Sequence, residues 1–311
     1  MTRYVRKLAK IIVRPFLMNR YVRRVLAFWL YRQSISHSED MVALLRSPDE
    51  LDDSYWMGKL RQYAHMVDKG LHRGDFSKGH GTWAYGMARD ALAHIRSPEA
   101  MGDPSIQWSV RKIRQYEQYQ ASDLPGLTSE YIRTTCNHEQ LLDAIKTRRC
   151  IRRYLEKPVP DALVEKIAEV VDWAPTSCHR QPARVYATNN PYIVRKCTEL
   201  HAGAACFTDI YAPLFLVFCA DARLYAMPTE LFMPCIDVAL GIQNCVLVAH
   251  TLGLSLTPLT WSYRKDRHET ELRKLLDIPT DFQIVVGAVG GYPNGGVEVP
   301  PRKNRELFIR K

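Results

Sequence analysis

No acidic residue precedes Glu39, although Arg3, Arg6, Lys7, Lys10, Arg14 and four further arginines crowd the same stretch. No apolar run reaches the roughly 18 residues that a membrane-spanning helix needs, so none is expected. Eight cysteines are present, but none pairs as C-x-x-C, which argues against a zinc module. Scattered through a core-rich chain, they read as buried small hydrophobes rather than a disulfide framework, and they suit a reducing compartment. The G-x-G-x-x-G and G-x-x-x-x-G-K-S/T patterns are both missing, and with them the usual dinucleotide and P-loop signals. There is no nucleophile elbow, H-E-x-x-H or EF-hand either. His65, His72 and His80 fit no metal-ligand spacing. No repeat, low-complexity tract or nucleic-acid motif appears. Any chemistry is therefore expected to be a cofactor's.

What the chain does have is positive charge, +10 at neutral pH over 311 residues. Such a balance suits an anionic partner: nucleic acid, an acidic membrane surface or a phosphorylated cofactor. Much of it lies in residues 1–33, so a basic tail explains it equally well. Within that segment Tyr4, Val5, Leu8, Ile11 and Ile12 recur at helical spacing until Pro15 interrupts. Three readings stay open: a packing extension, an interfacial helix touching an anionic membrane peripherally, and an organelle-targeting segment. A secretory signal fits poorly, because Arg32 ends the apolar stretch and no small-residue cleavage site follows.

Residues 34–127 read as a helical extension. Ser47-Pro48-Asp49-Glu50 is an N-cap signal opening "SPDELDDSYWMGKLRQYAHMVDKGL". Gly74, Gly79 and Gly81 mark a loop, a helix is predicted over Trp83–Ile95, and "SIQWSVRKIRQYEQYQ" predicts another. "SDLPGL", 122–127, is a linker candidate. From 137 to 311 the texture changes. "HEQLLDAIKTRR" and "PDALVEKIAEVVDWAP" predict amphipathic helices; "RVYATNN", "APLFLVFCAD" and "FQIVVGAVGGYP" predict strands. "CIDVALGIQNCVLVAHTLGL" is apolar nearly all round and predicts a central buried helix capped by Gly253. Helices alternating with strands imply an α+β or α/β layer fold.

Four constellations could carry chemistry. "TRRCIRRY" places Arg148, Arg149 and Arg152 where a helix ends. Planar guanidinium forks suit a phosphate, and a solvated basic helix end explains them equally. "WAPTSCHRQPAR" offers the hydroxyls of Thr176 and Ser177 after Pro175, with Gln181 close behind; an ordinary helix-ending loop competes with that reading. "GLSLTPLTW" is a short strand reaching Pro258, whose missing N–H leaves neighbouring amides available. "VPPRKNRELF" holds Arg302 and Lys303 behind two prolines.

In order and spacing, these pieces resemble the FMN-dependent nitroreductase family. "RRCIRRY", "APTSCHRQPAR", "DVALGIQNCVLVAHTLGL", "GGYP" and "PPRK" match its motifs over about residues 137–311. The resemblance implies an α+β, three-layer fold: a central mixed, mainly antiparallel sheet flanked by helices, plus the N-terminal helical extension. It implies a cytoplasmic homodimer with two FMN sites at its interface. NAD(P)H is the implied reductant, with ping-pong hydride transfer through the flavin to a small-molecule nitroaromatic, quinone-like or other electrophilic acceptor. Arg148, Arg149 and Arg152 would hold the phosphate and ribityl region, with Cys150 among them and Arg302 beside the phosphate. Pro175, Thr176, Ser177 and Gln181 would come from the other subunit, and Pro258, Leu259 and Thr260 would line the isoalloxazine. Cys150 stands where the family has serine, His179 where asparagine is common, and Ala183 where tryptophan is common. The alternative is a non-catalytic flavin-binding or scaffold protein docked through its basic N-terminus.

Overall fold

The computed structural model describes residues 46–73, 77–122, 132–206, 212–225, 230–261 and 266–303. The basic segment 1–33, Gly74 and the Pro125-Gly126 linker lie outside them. In chain order the described helices are α1 (Asp53–Leu71), α2 (Thr82–His94), α3 (Pro98–Gly102), α4 (Pro104–Ala121), α5 (His138–Thr147), α6 (Asp161–Glu169), α7 (Pro191–Glu199), α8 (Met233–Thr251) and α9 (Asp266–Leu276). The strands are β1 (Ala183–Thr188), β2 (Leu214–Asp221), β3 (Ser255–Leu259) and β4 (Phe282–Gly291).

Strand β2 sets the layering. All of its residues are buried, and strand geometry sends alternate side chains to opposite faces. Phe215, Val217 and Cys219 join Val194 and Cys197 of α7 and Leu272 of α9. Leu214, Leu216, Phe218 and Ala220 join Ile167 of α6 and Val238, Ile242, Cys245 and Ala249 of α8. The sheet therefore lies between two helical layers, the α+β sandwich expected. Its strand order is β1-β2-β4-β3, every described pairing is antiparallel, and β1 and β3 are the edges. Burying a phenylalanine such as Phe218 fully contributes about 1.5–3 kcal/mol.

The expectation for α8 needs correcting. One of its faces is packed on the sheet, while Phe232, just before it, and Ile236 and Leu240 are 64%, 47% and 45% exposed. They follow one another at i, i+4 and i+8 and make a single stripe. Packed on the sheet, on α6 and on the turn Val170–Trp173, the helix still keeps Ile236 and Leu240 half exposed, so its all-apolar sequence is not matched by burial all round. Among the described residues α8 is the one helix long and apolar enough to cross a membrane, yet it packs against β1, β2, β3 and β4. Gly253 sits at φ 76°, just past the C-cap Leu252, in the left-handed conformation that closes a helix.

The N-cap signal at Ser47 also does less than expected. It closes one 3₁₀ turn, Pro48–Glu50, with Ser47 N–H donating to Glu50 Oε2 at 3.0 Å. The long helix α1 starts at Asp53, capped by Asp52, which accepts from Tyr55 N–H at 3.0 Å. Both signals were in the sequence; the second wins because it directly precedes the apolar stripe of Leu60, Ala64, Val67 and Leu71. Helix α2 begins one residue before the predicted start and α4 covers its predicted segment. Helices α3, α7 and α9 were not anticipated, although Asn190-Pro191 is a recognisable cap ahead of α7.

The N-terminal half of helix α1 is docked onto the sheet region, while Val67 and Leu71 further along it pack with Ala84 of α2 and Tyr116 of α4. Arg223, 2% exposed, pairs with the fully buried Asp221 at 2.7 Å and with the α1 cap Asp52 at 3.1 Å. Arg184 Nη2 donates to Ser54 Oγ at 2.8 Å, and Lys59 Nζ donates to Leu224 O at 3.3 Å. Removing the Arg223 guanidinium strands the Asp221 carboxylate in the core. Arg223→Ala is expected to cost about 3–5 kcal/mol of unfolding free energy by urea titration; a loss below about 1 kcal/mol would contradict a buried, mutually dependent pair.

Candidate functional site

The arginine stretch begins where α5 ends, with Arg148 as its C-cap. The chain then runs beside edge strand β3 and is fastened by side chains rather than by a ladder. Ile151 N–H donates to Ser255 Oγ at 3.2 Å, and Ser255 Oγ donates to Arg149 O at 3.0 Å. Thr257 Oγ1 donates to Ile151 O at 2.7 Å. The buried Tyr154 hydroxyl lies 2.8 Å from Ile151 O, 3.3 Å from Thr257 Oγ1 and 3.3 Å from Val289 O. The structure thus joins the first predicted piece, Arg148–Arg152, to the third, Pro258–Thr260, along one strand.

The cations there are unspent. Arg148 Nη1 reaches only Cys150 Sγ, at 3.4 Å. Arg149 Nη1 donates to Lys146 O and Arg148 O, both at 2.6 Å, while its buried Nε has no partner. Arg152 is exposed. Among the described residues none of these arginines has a carboxylate within 4.0 Å. An arginine set without a counter-ion is what a phosphate requires. Arg302 lies in exposed coil, its Nη1 donating to Pro300 O at 3.1 Å. Pro258 is exposed on the edge strand, opposite Ala288, and Thr260 is also exposed, whereas Leu259 is buried. Gly203 packs against this end of the strand so closely that a Cβ there would meet Thr260 N at 2.9 Å.

The hydroxyl loop is built differently. Cys178, His179 and Gln181 have φ of 52°, 59° and 50°, left-handed values that cost non-glycine residues about 1–3 kcal/mol each. Asp237 of α8 holds the loop from below: its carboxylate accepts from Ser177 N–H at 2.8 Å and from Ser177 Oγ at 3.0 Å. Tyr225 OH donates to the same carboxylate at 2.5 Å. Burial and that anionic neighbour push the Tyr225 phenol far up. Gln181 N–H donates to Thr176 Oγ1 at 3.2 Å, while Pro175 is exposed ahead of the turn. Burial pushes the pKa of His179, and of His65 beside it, downwards.

The two parts sit at opposite ends of α8. Asp237, in its first turns, holds the loop; His250, in its last turn, lies 2.9 Å from Thr147 Oγ1 at the start of the arginine stretch. Those positions are roughly 20 Å apart along the axis. One chain therefore does not bring Arg148–Arg152 and Thr176–Gln181 together.

Sequence reasoning missed Asp237, Tyr225 and Tyr154. Asp237 carried a signal, being the one acid inside the apolar α8. Tyr154 carried one too, as the aromatic that closes the RRCIRRY motif, but its role depends on Ile151 O and on neighbours brought up by β3 and β4. His201 was also missed. It is 3% exposed, its ring centroid lies 4.6 Å from that of Trp261, and its Nε2 is unpartnered against Gly287.

The sequence model described as the nitroreductase family matches residues 145–205 and 205–292. The chain is 30% identical, over 172 residues, to a protein of Methanothermobacter thermautotrophicus named, provisionally, NADH dehydrogenase/NAD(P)H nitroreductase; the match covers 53% of this chain and 87% of that one. It is 26% identical over 182 residues to the FMN reductase (NAD(P)H) of Bacillus subtilis, covering 54% and 71%. Among solved structures it is similar to the NADPH:FMN oxidoreductase of Vibrio harveyi complexed with NAD+, at 21% identity and TM-score 0.45, covering 54% and 79%.

Burial lowers the His201 pKa from 6.5 to about 4. Between those values the unfolded chain binds a proton that the folded one refuses. The contribution of the neutral imidazole is therefore complete above pH 6.5 and is lost as pH falls towards about 4. A shift of that size is worth about 3 kcal/mol. His201→Gln is expected to flatten the fall in unfolding free energy across that window in urea titrations. An unchanged slope would contradict the assignment.

Proposed function

The chain belongs to the nitroreductase family, and from that premise we propose that it is an FMN-dependent oxidoreductase. NAD(P)H is the reductant. FMN, when bound, supplies two-electron hydride chemistry, which the side chains found here do not. The observation that carries the reading is the set of arginines without counter-ions at the end of edge strand β3. Arg148, Arg149 and Arg152 hold the phosphate and ribityl region. Arg302 follows from the expected C-terminal motif. Exposed Pro258 and Thr260 present a polar backbone edge to the ring system, with Leu259 turned into the core. Cys150 sits among the arginines as the weaker acceptor that replaces serine.

The dimer follows from the separation along α8. Ile236 and Leu240, exposed one turn apart on α8, offer an apolar face for a second copy. Two copies packed through it with antiparallel α8 helices bring the loop of one copy to the arginines of the other. Pro175, Thr176, Ser177 and Gln181 then complete the partner's site. FMN, when bound, would supply both half-reactions of a ping-pong cycle, and the acceptor is a nitroaromatic, quinone-like or other electrophilic small molecule. The resemblance suggests a cytoplasmic enzyme.

Three outcomes test this. Freshly purified protein is expected to show a flavin absorbance spectrum that NAD(P)H bleaches, and to release a chromophore of FMN mass. Arg148→Ala combined with Arg149→Ala is expected to cost about 2–5 kcal/mol of FMN binding, read by titrating flavin fluorescence; unchanged affinity would move the phosphate elsewhere. Leu240→Arg is expected to give a monomer by light scattering that has lost FMN. A monomeric variant with full FMN affinity would remove the shared-site reading.

A further inference from the structure

Helices α1 to α4 lie outside residues 145–292, where the family match falls, yet α1 reaches directly into the strained loop. Arg61 Nε donates to Arg180 O at 3.3 Å, one residue before Gln181, and Arg61 Nη1 donates to Ser105 Oγ of α4 at 3.3 Å. One turn further along α1, the His65 ring lies 5.8 Å from that of His179. Trp108 of α4 closes the other side, 5.3 Å from His179.

Arg61 is an unusual residue to find there. It is 4% exposed, and both of its hydrogen-bond partners are neutral oxygens. Among the described residues no carboxylate lies within 4.0 Å of it. Burying a guanidinium against neutral acceptors is costly, and a long apolar side chain would fill the same space without that cost. Three left-handed non-glycine residues in one short loop are also costly, and persist only where the surroundings dictate them. The two unfavourable features meet at a single bond, Arg61 to Arg180 O. Asp237 holds Ser177 and the Thr176 hydroxyl accepts from Gln181 N–H, both from below or within the loop; Arg61 is the α1 side chain that reaches its second half, at Arg180 O.

We propose that α1 is a strap that holds the loop Thr176–Gln181 in its flavin-contacting form, with Arg61 as the positioning residue. This rests on the reading that the loop meets FMN. In the dimer, the helical extension of one copy thereby sets the geometry of its partner's site, a task that the matched part of the chain does not perform alone. His65 and Trp108 confine the His179 ring so that the turn does not relax.

The test uses the full chain, wild type, Arg61→Met and Arg61→Lys, with Ser105→Ala as a milder variant that frees Arg61 from α4. Hydrogen exchange of amides 177–181 reads the strap without any cofactor, and flavin fluorescence reads FMN affinity. Arg61→Met is expected to speed exchange in those amides while β2 and α8 stay protected, and to weaken FMN about tenfold to a hundredfold. Arg61→Lys is expected to recover part of both, and Ser105→Ala to shift both slightly in the direction of Arg61→Met. If Arg61→Met does not fold, Ser105→Ala carries the test. Unchanged loop exchange in the folded variants overturns the strap. If the wild type itself takes up no FMN, the flavin reading fails, while the exchange result still decides whether α1 holds the loop.

Discussion

Helix α8 is about 28 Å of rigid rod, and the two halves of the candidate flavin site are tied to its two ends. Asp237 grips the Thr176–Gln181 loop near one terminus, and His250 meets the α5 end, where the arginines begin, at the other. A packed helix does not shorten, so these halves meet only if a second copy supplies one of them. The exposed Ile236 and Leu240 of α8 offer an apolar surface for such an arrangement. The proposed dimer is in that sense a consequence of helix length.

The rest of the molecule serves those two ends. The sheet fixes α8 by burying its inner face on β2, whose alternation fills both core layers. Edge strand β3 carries the arginine segment on its serine and threonine hydroxyls and on Tyr154, and among the described residues no carboxylate lies within 4.0 Å of the guanidinium groups of Arg148, Arg149 and Arg152. Strain is concentrated in the loop at the other end and is held by a buried carboxylate below and by α1 at its side.

Much of this was legible in the sequence, for physical reasons that also explain the failures. Strand β2 and helix α8 announce themselves because burial demands continuous apolar runs. The arginines and the hydroxyl loop stand out in the sequence because cofactor chemistry needs unusual residues close together in the chain. What escaped was set by contacts between distant segments. That α8 would keep Ile236 and Leu240 half exposed depends on which elements pack against it. That Asp237 would anchor Ser177, Tyr154 would knit β3 to β4, or Arg61 would reach Arg180 depends on docking that no local pattern records. Helices α7 and α9 were missed although the Asn190-Pro191 cap was visible and both segments are amphipathic at helical spacing.

The measurement that tests the central claim most directly is complementation between two FMN-deficient variants. Chains carrying Arg148→Ala and Arg149→Ala would be mixed with chains carrying Thr176→Arg, allowed to exchange subunits, and titrated with FMN. A site shared between copies leaves each mixed dimer with one intact set, the native arginines of one chain facing the native loop of the other. FMN binding is then expected to return at native affinity, at one per mixed dimer. If both halves of the site belong to the same chain, every site in the mixture keeps one defect. No recovery of binding despite verified mixed dimers would contradict the account.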